Sequence, residues 1–155
     1  MVNRREDLER PDIEGLWLEV SLPKSRSLLT SCLYRPPNSS NHYDKGFCSK
    51  MNNILNTAVS KGQEVLLIGD WNSDFASKCS TIPECNQLKS LFKLLQFTQI
   101  IKEPTRVTAE SRTMNDLIAT NHPQNIKDSG VVTGTSLSDH EMSFCVRKIN
   151  WKKTP

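Results

Sequence analysis

The sequence lacks the features of membrane, secreted and repetitive proteins. No apolar run approaches the roughly 18 to 20 residues that a membrane-spanning helix needs. Residues 1–7 are charged with no apolar segment behind them, which predicts no secretory signal. There are also no repeats, heptads or low-complexity tracts. With 155 residues, 36% of them hydrophobic and 24% charged, the chain is expected to form one globular domain with no membrane partner.

The cysteines form no recognisable metal or disulfide site. Five of them are scattered along the chain, and no two have the spacing of a CxxC motif or of a zinc site. We therefore expect free thiols and a reducing, intracellular location. The net charge of +3 does not by itself indicate a nucleic-acid partner, because such binding depends on where lysines and arginines cluster.

Hydrophobic periodicity predicts strands and two helices. Apolar residues alternate in residues 13–20 and 28–34, which predicts a hairpin of two strands. Helical spacing in residues 47–60 and 86–96 predicts two amphipathic helices, and the apolar run 65–68 predicts a buried strand between them. Four more strands are predicted at residues 99–101, 117–119, 130–132 and 142–147. The order ββαβαββββ indicates an α/β fold in which two sheets pack as a β-sandwich flanked by helices.

The two ends of the chain are expected to lie outside this domain. We expect residues 1–12 to be a flexible N-terminal segment, because they are highly charged. Residues 148–155 are expected to be a frayed tail or a linker. The domain itself then spans residues 13–147.

Two polar residues directly follow the predicted strand 65–68. Asp70 and Asn72 fall at the carboxyl edge of the sheet, where α/β folds place their chemistry. If the strand geometry continues, both side chains point to the same side. The carboxylate would then serve a metal ion or an attacking water, and the amide would donate to a phosphate oxygen. The stretch 69–72 (GDWN) is also consistent with a simple polar β-turn, and this alternative stays open.

A second carboxylate and an imidazole precede the predicted strand 142–147. His140 is the natural acid–base or phosphate-contacting candidate, since the ordinary pKa of histidine lies near about 6.5. Adjacent strand residues point opposite ways, so Asp139 cannot orient His140, and a carboxylate from elsewhere must do so. Asp116, at the start of the predicted strand 117–119, is the candidate. A structural histidine and a turn-forming Asp116 are the open alternatives.

Three further residues carry groups suited to phosphate. Thr105 and Arg106 follow a proline and offer a hydroxyl and a guanidinium. Tyr34 closes the predicted strand 28–34 and brings its hydroxyl toward the same edge, although core packing is an alternative role for it. Two carboxylates, an amide and an imidazole on one edge are the groups that divalent-metal phosphodiester hydrolysis uses.

Five motifs occur in one order along the chain: residues 34–38 (YRPPN), 69–72 (GDWN), 103–108 (EPTRVT), 115–118 (NDLI) and 138–140 (SDH). In this combination the sequence resembles the endonuclease/exonuclease/phosphatase superfamily, most of all the endonuclease domain of non-LTR (LINE-type) retrotransposons. The resemblance implies a DNase I-like fold and hydrolysis of DNA with Mg²⁺ or Mn²⁺ as cofactor. It also implies a nick with a 3′-hydroxyl that primes reverse transcription.

The resemblance assigns a role to each candidate residue. It implies that Asp70 positions or deprotonates the attacking water and that Asn72 holds the scissile phosphate. It implies that His140, oriented by Asp116, contacts the phosphate and stabilises its developing charge. Asp139 is assigned to the metal-binding acidic cluster. The resemblance also implies that Thr105 supports the rim of the site. The remaining residues are grouped as contacts to phosphate or DNA: Tyr34, Thr105, Arg106 and Ser138.

The resemblance covers only part of the family's domain. In that family the first strands supply an asparagine and then a glutamate, a principal metal ligand, and the matching motifs here begin after them. We therefore expect a sandwich that is incomplete on its N-terminal side, a weakened metal site and poor activity. The alternative is a non-catalytic retroelement remnant that binds DNA or protein. A phosphomonoester or inositol phosphate substrate is disfavoured by the motifs 34–38 and 103–106. We expect no small-molecule cofactor, and a functional protein would act in the nucleus.

Overall fold

A six-stranded mixed sheet forms the centre of the computed structural model, which describes residues 1–76, 83–134 and 138–149. The strands are β1 (Val2–Arg4), β2 (Glu14–Val20), β3 (Leu28–Tyr34), β4 (Glu64–Asp70), β5 (Thr98–Gln99), β6 (Arg106–Val107), β7 (Arg112–Thr113), β8 (Asp116–Thr120), β9 (Ile126–Val132) and β10 (Met142–Arg147). The helices are α1 (Phe47–Val59) and α2 (Pro83–Leu94), and short 3₁₀ turns lie at Glu6–Leu8 and Pro123–Asn125. The large sheet has the order β1-β2-β3-β4-β8-β5, while β6 pairs with β7 and β9 pairs with β10.

The strand directions bring three strand ends together. β2 and β3 form an antiparallel hairpin, whereas β3 and β4 run parallel with α1 in the connection between them. A crossover of this kind is what parallel strands require. β8 runs antiparallel to β4, so its first residue, Asp116, lies opposite the last residue of β4, Asp70. Tyr34 ends β3 beside Asp70. Tyr34, Asp70 and Asp116 therefore share one end of the sheet, which we call the upper edge.

Both helices cover the same face of the large sheet. Successive strand residues point to opposite faces, and Val65 and Leu67 of β4 point to the helical side. They share a core with Leu55 of α1 and Leu88 of α2, all fully buried. Burial of each such side chain contributes roughly 1.5–3 kcal/mol. The helices form because their apolar residues recur at helical spacing and face this core.

Trp71 anchors the chain just beyond β4. Its side chain is 1% exposed, and its ring meets those of Phe47 and Phe92 edge-on, with centroids 5.9 and 5.5 Å apart. Pairs with this geometry add about 0.5–1.5 kcal/mol beyond the area that they bury. The anchor fixes the path of the backbone where β4 reaches the upper edge.

The hairpin of β9 and β10 lies on the opposite face. Leu66 and Ile118 of the large sheet form a smaller core there, against which Val131 packs. At the lower end of β4, the guanidinium of Arg147 donates to both carboxylate oxygens of Glu64, at 2.8 and 2.6 Å. This buried ion pair connects the second layer to the large sheet.

The predicted α/β class and both predicted helices are confirmed, with helix ends within three residues of the expected positions. All the predicted strands are present, although β5 is shorter than expected and β9 begins earlier, at Ile126. The structure adds β1, β6 and β7. These strands have only two or three residues, too few for any periodic pattern to reveal them.

Residues 2–8 have regular structure, where the sequence analysis expected a flexible segment. β1 pairs with β2, and Leu8 is 2% exposed in the main core. Arg5 forms ion pairs with Asp7 and Glu19. The charged composition does not reveal this strand, because β1 pairs with β2 through backbone hydrogen bonds while its neighbouring charged side chains form ion pairs with one another.

Some expectations fall outside the described residues. Cys79 and most of the predicted tail 148–155 lie there, whereas Cys32, Cys48, Cys85 and Cys145 are free thiols. Within the described ranges, no helix is long and apolar enough to cross a membrane.

Candidate active site

A glycine allows the end of β4 to approach β3 closely. Gly69 has φ +153°, and a Cβ placed on it would lie only 1.8 Å from the carbonyl oxygen of Leu33. No side chain fits this gap, so residue 69 must be glycine. The close contact fixes Asp70, the next residue, at the upper edge between Tyr34 and Asp116.

The chain turns sharply after Asp70, so the strand geometry does not continue through Asn72 as the sequence analysis assumed. Asn72 has φ +43°, and its backbone N–H donates to Asp70 Oδ1 at 2.9 Å. Its side-chain amide donates to the carbonyl of Arg35 at 2.8 Å and lies 3.3 Å from Asp70 Oδ2. The stretch 69–72 is thus a polar turn that also brings the two side chains together. Donation from Asn72 to a phosphate would have to replace the longer of these contacts.

Asp116 and His140 form the pair that the sequence analysis expected. His140 Nδ1 lies 2.8 Å from Asp116 Oδ2. A carboxylate can only accept a hydrogen bond, so Nδ1 carries the proton that it donates. Nε2 has no hydrogen-bond partner among the described residues, so in the protonated ring it can donate to a substrate oxygen.

Asp70, Asp116 and His140 together form a candidate cation site. Each offers one ligand atom, and these three atoms lie within 4.8 Å of one another. Burial has the largest effect on the pKa of Asp70 and raises it, and the negative charge of Asp116 raises it further. The N–H of Asn72, together with His140 and Arg106, acts in the opposite direction but does not outweigh burial. A bound cation would relieve the repulsion between the two carboxylates.

Asp139 lies outside this cluster, and its role as a metal ligand stays a prediction. Its Oδ2 forms an ion pair with Nη2 of Arg106 at 2.6 Å. The two residues meet because Arg106 and His140 are paired in an isolated β-bridge, and Val107 donates its N–H to the carbonyl of Asp139. The pair is rather exposed, so it contributes at most about 1 kcal/mol. It keeps a guanidinium next to the site.

Thr105 does not contact solvent, which agrees with its expected place in the rim of the site but leaves its hydroxyl no access to a phosphate. The residue is 0% exposed, and its hydroxyl accepts the backbone N–H groups of Asn115 at 3.1 Å and Asp116 at 2.9 Å. Its backbone carbonyl accepts the N–H of Glu141 at 2.7 Å. Thr105 therefore holds the start of β8 against the segment that carries His140. A sequence motif does not reveal whether its hydroxyl is buried.

Tyr34 and Ser138 are placed differently at the upper edge. Tyr34 is 40% exposed and lines a cavity of about 210 Å³ with Asp12 and His42. Its location leaves the predicted phosphate contact possible. The Ser138 hydroxyl accepts the N–H of His140 at 2.8 Å and lies 3.2 Å from its carbonyl oxygen, so it shapes the local turn.

One residue that the sequence analysis did not single out also belongs to the site. Arg35 follows Tyr34, and its side chain is 4% exposed beneath the turn that carries Asp70 and Asn72. Its place in the motif 34–38 was the only available signal.

Solved structures identify the fold. The endonuclease domain of TRAS1, a telomere-specific non-LTR retrotransposon, matches with a TM-score of 0.74 over 95% of this chain and 67% of that one, at 15% identity. The 3′ phosphatase NExo from Neisseria, bound to a product DNA hairpin, matches with a TM-score of 0.73 over 95% of this chain and 70% of that chain, at 14% identity. An AP endonuclease from Archaeoglobus fulgidus matches with a TM-score of 0.63 over 86% of this chain and 65% of that chain, at 14% identity. The chain thus spans about two thirds of the length of these three structures.

At such low identities, these likenesses establish the fold alone. No curated protein sequence matches the chain significantly. The family model of endonuclease-reverse transcriptases, by contrast, matches residues 28–144, which is most of the chain and includes every candidate residue of the site. The chain therefore belongs to the endonuclease-reverse transcriptase family and has the DNase I-like fold of endonuclease/exonuclease/phosphatase proteins.

Proposed function

We propose that this chain is a metal-dependent DNA endonuclease domain that nicks one strand and leaves a 3′-hydroxyl to prime reverse transcription. The observation that carries the proposal is the cluster of Asp70, Asp116 and His140 at the upper edge, with ligand atoms within 4.8 Å of one another. Family membership supports hydrolysis, and two of the matched structures, one a retrotransposon endonuclease and one holding a DNA hairpin, support DNA as the substrate.

The chemistry of the cluster fits Mg²⁺ or Mn²⁺. Asp70 and Asp116 offer the carboxylate oxygens that both cations prefer. When bound, the cation would supply positive charge to the scissile phosphate and to the leaving 3′-oxygen. Two carboxylates are a small ligand set, so we propose weak metal binding and low activity.

Three side chains of the site have separate roles in the proposed hydrolysis. Asp70, held by the N–H of Asn72, accepts a hydrogen bond from the attacking water and orients it. In the protonated ring of His140 both nitrogens donate, Nδ1 to Asp116 and Nε2 to a phosphate oxygen, and the ring then stabilises the negative charge that develops there. Arg106 uses one guanidinium nitrogen for Asp139, and its other N–H groups have no partner among the described residues. They are available to a DNA phosphate.

A plasmid-nicking assay tests the proposal. We expect slow conversion of supercoiled to relaxed DNA in Mg²⁺ or Mn²⁺, abolished by EDTA. Asp70→Ala and His140→Ala should each reduce the rate at least a hundredfold, since each removes a group that acts on the reacting atoms. Asp128→Ala, which removes an exposed carboxylate on β9, is the matched control and should nick at the wild-type rate.

Two outcomes contradict the proposal. Nicking that persists in EDTA, or that survives both site variants, would show that this cluster does not catalyse it. A chain that does not nick but binds DNA with a steep salt dependence would instead favour the non-catalytic DNA-binding alternative.

A further inference from the structure

Arg35 carries a buried positive charge that the proposed hydrolysis does not use. No carboxylate within the described ranges forms an ion pair with its guanidinium, although its side chain is 4% exposed. Nη2 donates to the hydroxyl of Tyr43 at 3.1 Å, and the rings of Tyr43 and Phe47 lie 5.1 and 5.4 Å from Cζ. Nε has no hydrogen-bond partner. Burying a guanidinium in this way costs free energy, which calls for a reason other than stability.

Every other polar contact of Arg35 goes to residues 70–73, which we call the 70–73 turn. Nη1 donates to Ser73 Oγ at 2.8 Å and lies 3.4 Å from the carbonyl oxygen of Trp71. The backbone N–H of Arg35 donates to the carbonyl of Asp70 at 2.9 Å. Its own carbonyl accepts from the side-chain amide of Asn72 at 2.8 Å. One residue thus contacts all four residues of the turn.

The 70–73 turn gains from such support because it contains an uncommon backbone conformation. Asn72 lies in the left-handed region, at φ +43°, which few non-glycine residues adopt, although asparagine does so more readily than most. Trp71 fixes the turn from the side of the core. Arg35 fixes it from beneath, through both its backbone and its guanidinium.

We propose that Arg35 is a positioning residue, which holds the 70–73 turn so that Asp70 and Asn72 keep the geometry for phosphodiester hydrolysis. The proposal rests on the proposed function and adds to it a residue that touches neither substrate nor metal. A planar guanidinium reaches Ser73, Trp71 and Tyr43 at once, whereas the ammonium of a lysine cannot do so with the same geometry.

Hydrogen exchange measured by NMR tests the positioning without any need for activity. The N–H of Asn72 is protected by its bond to Asp70 Oδ1. In Arg35→Met we expect exchange at Asn72 to be at least tenfold faster, while Leu66 and Leu67 at the centre of β4 keep their protection. In the same variant, kcat for nicking should fall at least tenfold with KM within threefold of wild type. Both the exchange rate at Asn72 and kcat in Arg35→Lys should lie between the values for wild type and for Arg35→Met.

Arg147→Met is the matched control. It removes another arginine, half-buried at the opposite end of β4, where Arg147 pairs with Glu64 at 2.6 Å. We expect it to lower stability while exchange at Asn72 and kcat stay as in wild type, measured where all variants are fully folded. If Arg35→Met behaves like this control, Arg35 is only structural and the proposal is overturned.

Failure of the two proposals can be told apart. A wild-type chain that never nicks overturns the proposed function, while exchange at Asn72 still decides whether Arg35 holds the turn. If Arg35→Met does not fold, Arg35→Lys and Ser73→Ala replace it, because each weakens the contact between the guanidinium and the turn. Unchanged exchange at Asn72 in both variants would overturn the proposal.

Discussion

At the scale of single residues, one buried hydroxyl determines where a catalytic candidate lies. Thr105 accepts the N–H groups of Asn115 and Asp116, and Asp116 in turn fixes His140. The role of this threonine is therefore to hold the site together, although its side chain never reaches the substrate.

Thr105→Val should separate this role from simple packing. Valine has nearly the same shape but leaves two buried N–H groups without an acceptor, which costs about 1–3 kcal/mol for each such group. We expect a loss of roughly 2 kcal/mol or more in urea unfolding, and a lower kcat for nicking. Thr105→Ser keeps the hydroxyl and loses one methyl group, so it should cost only about 1 kcal/mol. Equal stability of the two variants would show that the hydroxyl does not matter.

The titration of Asp70 is a second property of a single residue. Burial raises the pKa of Asp70 in the folded protein. The charge of Asp116 adds to this effect, and the N–H of Asn72 opposes it. Because the folded-state pKa lies above the unfolded one, the neutral form stabilises the fold, and that contribution is lost as pH rises through the folded pKa. In metal-free protein, ¹³C NMR should place the midpoint of the carboxyl titration above its ordinary value, and Mg²⁺ should lower the midpoint.

Asp70→Asn provides the stability test of the same effect. An amide mimics the neutral acid at every pH, so the variant should be more stable than wild type at pH 7 and lose this advantage near pH 3. A wild-type midpoint at or below the ordinary value, or a variant less stable at pH 7, would contradict the assignment.

At the scale of elements, the close approach of β3 and β4 depends on Gly69. Gly69→Ala would place a methyl group against the carbonyl of Leu33 in a backbone conformation that alanine avoids. We expect a loss on the order of 3 kcal/mol or more in thermal or urea unfolding. Gly134→Ala is the matched control, because Gly134 also has a positive φ but no atom of the described residues within 4 Å of its Cβ position. It should lose only about 1 kcal/mol, and equal losses would contradict the argument.

The sequence predicted the elements whose residues repeat with a clear period. α1, α2 and the long strands have apolar faces that a sequence displays directly. β6 and β7 exist only because they pair with each other, and β6 also meets the segment before β10. The bridge from Arg106 to His140 joins residues distant in the chain, and strands of two residues are too short to show a period, so local patterns do not encode them.

Site residues whose positions follow from the order of the strands were predicted from the sequence, whereas those whose positions depend on the packing of loops were not. Asp70, Asp116 and His140 follow or precede strands, so the order of strands placed them at one edge. The burial of Thr105 and Arg35, and the pairing of Asp139 with Arg106, depend on how loops pack on the sheet. Motifs showed that these residues belong together, but not which of them face the substrate.

At the scale of the whole molecule, a buried ion pair connects the two layers. Burial alone would raise the pKa of Glu64, but hydrogen bonds from Arg147 and Asn125 outweigh it, so the pKa is lowered. Because the folded-state pKa lies below the unfolded one, the stabilisation is present above the unfolded pKa and is lost as pH falls through the folded pKa. Wild-type stability should therefore decrease below about pH 4.5.

Variants of this pair test its contribution. Arg147→Met leaves Glu64 buried without its partner and should cost about 3 kcal/mol at pH 7 in urea unfolding. Adding Glu64→Gln removes the buried charge, so the double variant should recover part of the loss and show a weaker dependence on pH between 3 and 5. A double variant whose loss is the sum of the two single losses would show that the residues are not coupled.

The position of Trp71 gives the molecule an internal optical reporter. Its indole lies in the core against Phe47 and Phe92, while its backbone N–H donates to the carbonyl of Asn115, directly before Asp116. A shift of the backbone at the upper edge must therefore move this ring within its aromatic surroundings. In a background with both Trp17→Phe and Trp151→Phe, which leaves Trp71 as the one tryptophan of the sequence, intrinsic fluorescence would signal the arrival of a cation or of DNA without any attached dye.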